Sequence, residues 1–250
     1  MATLHAGTSG WAYPSWKPAF YPPKLPQKSF LSYYASRVNA VEVNYTFRHM
    51  ASEKSLRNWI ADTPDGFRFS LKAHQAITHI SRLKNAEGMV KRFLVSLEPL
   101  LQAGKLGPAL FQLPPNFKAN TELLDEFLTG LPRNLRCAFE FRHESWFSDA
   151  VFETMRNHNT ALCVAESEDM TTPDVCTAEF CYYRLRKPEY SQTERQQIAE
   201  KMCEHVLHSR DVFVFFKHEE SPEGALYAAE LLGAGAEIVQ FEPSKRASGL

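Results

Sequence analysis

The chain predicts an α/β fold of the (β/α)8 TIM-barrel type, a single domain spanning residues 1–250. Three observations lead there. Eight short apolar runs recur along the chain, nearly all followed by a stretch of helical period, and alternation of that kind makes a parallel sheet. Eight such units over this length match a closed barrel. The doubly wound alternative would carry a glycine-rich turn from the first strand into a helix. Here the stretch from Gly7 to Gly10 lacks the third glycine and runs into Trp11 and Pro14.

Residues 3–10 form the first strand, and Pro14, Pro18, Pro22, Pro23 and Pro26 then exclude regular helix up to Gln27. A short helix over 29–37 leads to a buried strand at 40–44. Its period of two puts Glu42 and Asn44 on one face, with Val41 and Val43 on the other. Ser52 is placed to cap a helix through Ala61, and a turn around Pro64 precedes a strand over 68–71 that ends at Lys72 and His74. A long helix over 87–101 precedes the strand 108–113, which ends at Gln112 and the stiff pair Pro114 and Pro115. A helix over 121–129 follows.

The fifth strand, 136–141, puts Glu140 and Arg142 on one face and Phe139 and Phe141 on the other. A carboxylate inside a sheet protein is costly unless paired, so Glu140 demands a cation, a metal or a ligand. Ser148 caps a helix through about residue 157, and the strand 161–165 ends at Glu166. Residues 167–179 are too short and broken for a full helix, so the connection after the sixth strand is irregular or lacks its helix. A strand over 180–185 delivers Arg184 and Arg186, a helix covers 193–208, and a strand over 212–216 delivers Lys217 and His218. A helix over 222–232 closes the barrel, giving a core from about 4 to about 233 and a tail from about 234 to 250.

An apolar fraction of 44% with 23% charged residues is that of an ordinary globular protein, and a net charge of −1 provides no global field for nucleic acid or an anionic membrane. Cys137, Cys163, Cys176, Cys181 and Cys203 show neither zinc-ligand spacing nor a disulfide framework, which suits reduced thiols. The N-terminus has no basic region followed by an apolar run, and no segment reaches about 18 apolar residues. The expected location is therefore the cytoplasm, with no membrane partner. The sequence sets no oligomeric state.

Barrels of this type place their sites at the C-terminal strand ends. Those ends carry Trp11; Glu42 and Asn44; Lys72 and His74; Gln112; Glu140, Arg142 and His143; Glu166; Arg184 and Arg186; Lys217 and His218. Glu42 and Glu140 read either as an acid and base pair or as structural partners of Lys72, Arg142 and Arg184. Glu42, Glu140, Glu166, His74 and His143 could converge on a divalent metal, although no His-x-x-x-His pair supports it. The cations Lys72, Arg142, Arg184, Arg186 and Lys217, with Trp11, Tyr45, Trp146 and Tyr183, suit a phosphate or carboxylate held beside a flat ring. Ser9 and Ser145 sit in no nucleophile elbow, Cys163 is mid-strand, and His49 and His79 are loop imidazoles.

Residues 7–13 (GTSGWAY) with Trp16, Tyr21 and Pro22, residues 33–35 with 41–44, and residues 67–72 with 77–79 resemble the YecE-like family. So do residues 106–115, residues 138–143 with Ser145 and Trp146, and residues 183–185, in the same order along the chain. The resemblance runs from about residue 5 to about 233. It implies a TIM-type barrel without an established reaction, and its charged and aromatic motif positions match Trp11, Glu42, Asn44, Lys72, Glu140, Arg142, His143, Trp146 and Arg184. Glu166 stands where the family usually has Asp, Arg186 and Lys187 replace His-Gly, and Lys217 and His218 replace an Asn-rich turn. Those departures make the outer rim more basic.

The expectation is a hydrolase or isomerase acting on a small anionic or phosphorylated metabolite, with no redox cofactor. Glu140 and Glu42 would be the acid and base. Arg142, Lys72 and Arg184 would hold the anion, with His143, Asn44 and Gln112 among its contacts and Trp11 and Trp146 as walls. A non-catalytic ligand-binding sensor or nucleic-acid-binding module using the basic, aromatic-lined rim is the alternative, and a metal-dependent phosphoesterase is a third reading.

Overall fold

The computed structural model describes residues 2–167, 170–217 and 221–246, with side chains described as far as residue 236. Eight parallel strands, β1 (Leu4–Ser9), β2 (Ala40–Val43), β3 (Arg68–Leu71), β4 (Ala109–Gln112), β5 (Cys137–Glu140), β6 (Ala161–Ala165), β7 (Phe180–Leu185) and β8 (Asp211–Phe216), lie in the order β3-β2-β1-β8-β7-β6-β5-β4. The two ends of that order meet through isolated bridges, Phe69 with Leu106 and Lys72 with Leu110. The Phe69 amide donates to the Lys105 carbonyl at 2.9 Å and the Ala73 amide to the Leu110 carbonyl at 2.8 Å. This is a nearly closed α/β barrel of TIM type in one domain, as the alternation of the sequence predicts.

Helices α1 (Phe30–Ala35), α2 (Glu53–Ala61), α3 (Glu87–Gln102), α4 (Thr121–Thr129) and α5 (Asp149–Asn157) follow β1 to β5 in turn, and α6 (Gln192–Leu207) and α7 (Glu223–Arg246) follow β7 and β8. Among the described residues, no helix connects β6 to β7. Side-chain caps fix the starts of α2, α4, α5 and α6. The Ser52 hydroxyl accepts from the Ser55 amide at 3.1 Å, and Asn120 Oδ1 from the Leu123 amide at 2.8 Å. Ser191 and Glu194 close a full capping box on α6.

The last helix outruns its expected end. The sequence places its end near Leu232, yet α7 continues to Arg246. Gly235 explains part of this, since a Cβ there would sit 2.9 Å from Leu4 Cδ2. The small residue lets α7 press against β1, and the packing offsets the helix penalty of about 1 kcal/mol for glycine. Residues expected as tail thus extend the helix to Arg246, and 247–250 lie outside the described residues. No helix among the described residues is long and apolar enough to cross a membrane.

Strand period divides the core in two. Val41, Val43, Phe139 and Phe141 face outward into the layer under the helices, whereas Ala40, Leu110, Ala138, Cys163, Tyr182, Phe213 and Phe215 fill the barrel interior. Small side chains from β2, β5 and β6 leave room for aromatic ones from β7 and β8. The β1–β2 contact is the tightest point. A Cβ on Gly7 would fall 1.8 Å from the Ala40 carbonyl oxygen and 2.7 Å from the Tyr34 hydroxyl. Gly7→Ala is accordingly expected to cost at least about 3 kcal/mol, read as a lowered urea midpoint against the wild type.

Candidate functional site

Glu42 and Glu140 are the inward residues at the C-terminal ends of β2 and β5, each flanked by outward apolar neighbours, and both are essentially inaccessible. Arg184, inward from β7 and equally buried, joins them: its Nη2 donates to Glu42 Oε1 at 2.7 Å and its Nη1 to Glu140 Oε2. One guanidinium therefore spans the barrel between two carboxylates from strands that are not neighbours. Glu42 also accepts from the Ser9 hydroxyl at 2.7 Å and the Tyr182 hydroxyl at 2.8 Å. Tyr182 is within 2.8 Å of the Ser70 hydroxyl in turn. The remaining oxygen of Glu140 receives Arg186 Nη2 at 2.8 Å and Arg142 Nε at 3.1 Å.

Lys72 completes the ring of charge. Its Nζ donates to Gln112 Oε1 at 2.9 Å and stands 4.1 Å from the centre of the Phe47 ring. Burial, reinforced by Arg184 and opposed by Glu140 and Glu42, brings its pKa down to about 8. Burial would push the Glu140 carboxyl upward, but Arg184, Arg186 and Arg142 together hold it well below the usual carboxylate range. Burial works against the charge on Arg184, and the two glutamates more than restore it, so its guanidinium stays cationic. Tyr182, forced above its ordinary value by burial and by Glu42, stays a neutral donor.

Within this network four cations, Arg142, Arg184, Arg186 and Lys72, thus stand against two carboxylates. Arg142 is the exposed member, with 37% of its side chain accessible. Asn44 Oδ1 and Arg184 Nε, both buried at this end of the barrel, have no hydrogen-bond partner among the described residues. A groove of about 620 Å³ between α3 and α4, lined in part by Leu83, Val90, Leu94, Leu123 and Phe127, holds none of these residues.

The other expected residues are placed differently. Trp146 does not stand at the rim as a wall. It is fully buried outside the barrel, stacked 4.6 Å from Phe141, and its indole N–H donates to the Phe117 carbonyl at 2.7 Å. The apolar layer under the helices claims it because β5 turns Phe141 outward. His143 caps a short turn, with Nδ1 accepting from the Ser145 amide at 3.1 Å. Trp11 packs edge-on against Trp59 at 5.3 Å. Tyr183 lies on the outer face of β7, and Tyr45 is exposed and stacked on His49.

The carboxylates and imidazoles expected around a metal do not converge among the described residues; the one group of such ligand types that comes together is Cys176, Cys181 and His205. Glu166 instead accepts from the Arg186 amide at 2.6 Å, the Lys187 amide at 3.2 Å and the Tyr190 hydroxyl, pinning the turn after β7. His74 bonds to the Ala76 amide. His218 lies outside the described residues.

Ser9, Ser70, Tyr182 and Phe47 are members of the network that the sequence reading passed over. Period two on β7, which selects Arg184, selects Tyr182 as well. His79, set aside as a loop imidazole, stands edge-on to Phe47 at 4.9 Å. Burial, with Lys72 and Arg142 next, holds its pKa below the usual imidazole value.

The fold and this network define a TIM-barrel protein whose C-terminal mouth is closed by a buried, cation-rich ionic cluster. The family model described as "Protein of unknown function DUF72" matches residues 5–248, and the chain belongs to that family, the YecE-like one its motifs resemble. It is 33% identical over 157 residues to the UPF0759 protein YunF of Bacillus subtilis strain 168, a match covering 60% of this chain and 54%, about half, of that protein. A crystal structure of a DUF72 family protein from Thermotoga maritima MSB8 superposes with a TM-score of 0.82 at 25% identity, covering 95% of this chain and 99% of that one. One from Enterococcus faecalis V583 shares the fold at a TM-score of 0.77 and 18% identity, over 92% of this chain and 96% of the other.

Proposed function

We propose that the C-terminal mouth of the barrel binds a small anionic metabolite, a phosphorylated one fitting best, and that the protein is a hydrolase or isomerase acting on it. The excess of cations over carboxylates around Glu140 is the observation that supports this reading. Arg142 and Arg186 meet Glu140 from the open side, and a phosphate oxygen competes for the same guanidinium forks. An anion that draws them away raises the proton affinity of Glu140 and converts a structural carboxylate into a base. Glu42, held by Ser9, Tyr182 and Arg184, completes the carboxylate pair. Lys72, titrating near 8, is suited to carry a proton at working pH. Asn44 Oδ1 offers an acceptor for a substrate hydroxyl. All five cysteines are free thiols, which suits a reducing cytoplasmic compartment.

Thermal-shift titration with inorganic phosphate and a panel of phosphorylated sugars and nucleotides tests this directly. The wild type is expected to be stabilised by at least one member of the panel. The Arg142→Ala/Arg186→Ala double variant should bind that compound at least tenfold more weakly, the loss of about 1.4 kcal/mol or more. A panel that leaves the wild-type melting temperature unmoved sinks the reading. A steep fall of affinity with salt for a single-stranded oligonucleotide would favour the nucleic-acid alternative instead.

A further inference from the structure

We propose that Cys176, Cys181 and His205 bind a thiolate-preferring divalent cation, zinc by its chemistry, which clips the β6–β7 connection to α6. The three residues come from three places: Cys176 from the β6–β7 connection, Cys181 from the second position of β7, and His205 from the last turn of α6. Cys181 faces outward, opposite to Tyr182, so the cluster lies on the outer wall at the N-terminal end of the barrel. The ionic network occupies the other end.

Distances favour a metal. The two sulfurs are 3.6 Å apart, Cys176 Sγ is 3.9 Å from His205 Nδ1, and all three ligand atoms lie within 4.8 Å of one another. A tetrahedral zinc ion with bonds of about 2.3 Å to sulfur and about 2.0 Å to nitrogen sets S···S at about 3.8 Å and S···N at about 3.5 Å. Small side-chain rotations therefore suffice. A void of about 10 Å³ bordered by Asp174, Cys176, Cys181 and Tyr183 adjoins the sulfurs.

The surroundings prepare the imidazole as a ligand. The Tyr183 hydroxyl donates to Asp174 Oδ1 at 2.9 Å and lies 2.8 Å from His205 Nε2. Since the phenol has one proton and spends it on Asp174, the neutral ring must carry its own proton on Nε2 and donate it to the phenol oxygen. That leaves Nδ1 as a bare lone pair aimed at Cys176. Lys201 salt-bridges the other oxygen of Asp174 and stands 5.1 Å from the centre of the Tyr183 ring, holding the relay in place. Such an outer partner is the usual companion of a metal-bound histidine. Two thiolates and one dication form a neutral cluster, with two thiol protons released to solvent on binding. Cys176 is partly exposed, which leaves a fourth position to water.

The other barrel units cover their strands with a helix, whereas this connection holds to the wall through isolated contacts such as the Thr177 hydroxyl on the Thr160 carbonyl. A cross-link from loop to strand to helix would fasten this connection where its described residues form no helix.

Cobalt(II) titration of the reduced, full-length protein is the test. Thiolate-to-cobalt charge-transfer and tetrahedral d–d bands are expected to grow to one equivalent and to be bleached by zinc. Zinc should also raise the melting temperature of the wild type. Cys176→Ser, a loop change that keeps the far-ultraviolet circular dichroism, should weaken cobalt binding at least tenfold and remove the zinc-dependent gain, and His205→Gln should behave alike. Absence of the bands in the reduced wild type overturns the proposal, as does wild-type titration by both variants.

Discussion

Replacing Arg184 with methionine is expected to destabilise the protein by at least about 3–5 kcal/mol, a large share of the total stability of a domain. The reason is what the substitution leaves behind. Glu140 keeps Arg142 and Arg186, but Glu42 is left with the Ser9 and Tyr182 hydroxyls alone, an ionised carboxylate with no accessible surface and no paired cation. Hydrogen bonds from two neutral hydroxyls do not replace a counter-charge in that setting, and a buried carboxylate without its cation is the costly case. The double variant Glu42→Gln/Arg184→Met should recover most of the loss, because it removes the orphaned carboxylate together with its partner while Glu140 keeps Arg142 and Arg186. Urea unfolding followed by circular dichroism compares the two. A loss under about 1 kcal/mol for Arg184→Met would show that the bridge does not hold the barrel together.

Both ends of that bridge were legible in the sequence, whereas the bridge itself was not. Period two marks Glu42 and Glu140 as inward residues because each stands between two apolar ones, and it marks Arg184 at the end of β7. Which charges meet depends on the stagger of β2, β5 and β7 around a closed barrel, and no local pattern encodes that. Tyr182 and Ser9 were overlooked for a related reason. An aromatic ring and a hydroxyl read as ordinary strand residues until a carboxylate is known to lie opposite them. Trp146 failed in the reverse direction. It follows a chemistry-rich segment and so read as part of the site, but Phe141 turns outward and takes Trp146 with it into the layer under the helices. The thiol and imidazole cluster was invisible because Cys176, Cys181 and His205 lack zinc-finger spacing, and only the folding of α6 onto β7 brings them together.

Glu140→Gln should separate binding from turnover. If the mouth accepts a phosphorylated metabolite, the amide removes one negative charge from the place where Arg142, Arg184 and Arg186 converge, so anion affinity should hold or increase. Turnover should fall by about 100-fold or more, since general acid–base catalysis typically supplies 10²–10⁴-fold. A variant that loses binding and activity together would point to a scaffold role for the carboxylate and argue against its role as base. Stability carries an independent signature. The folded carboxyl is held far below the ordinary value of 4.5, so its contribution is fully present above that value and is lost as the pH falls from there toward the depressed one. Wild-type stability should therefore decline through this acid window, and the glutamine variant, less stable near neutrality, should decline less steeply. Equal acid slopes for the two proteins in equilibrium unfolding would mean that the three guanidiniums do not hold Glu140 ionised, and the anion-competition step would lose its basis.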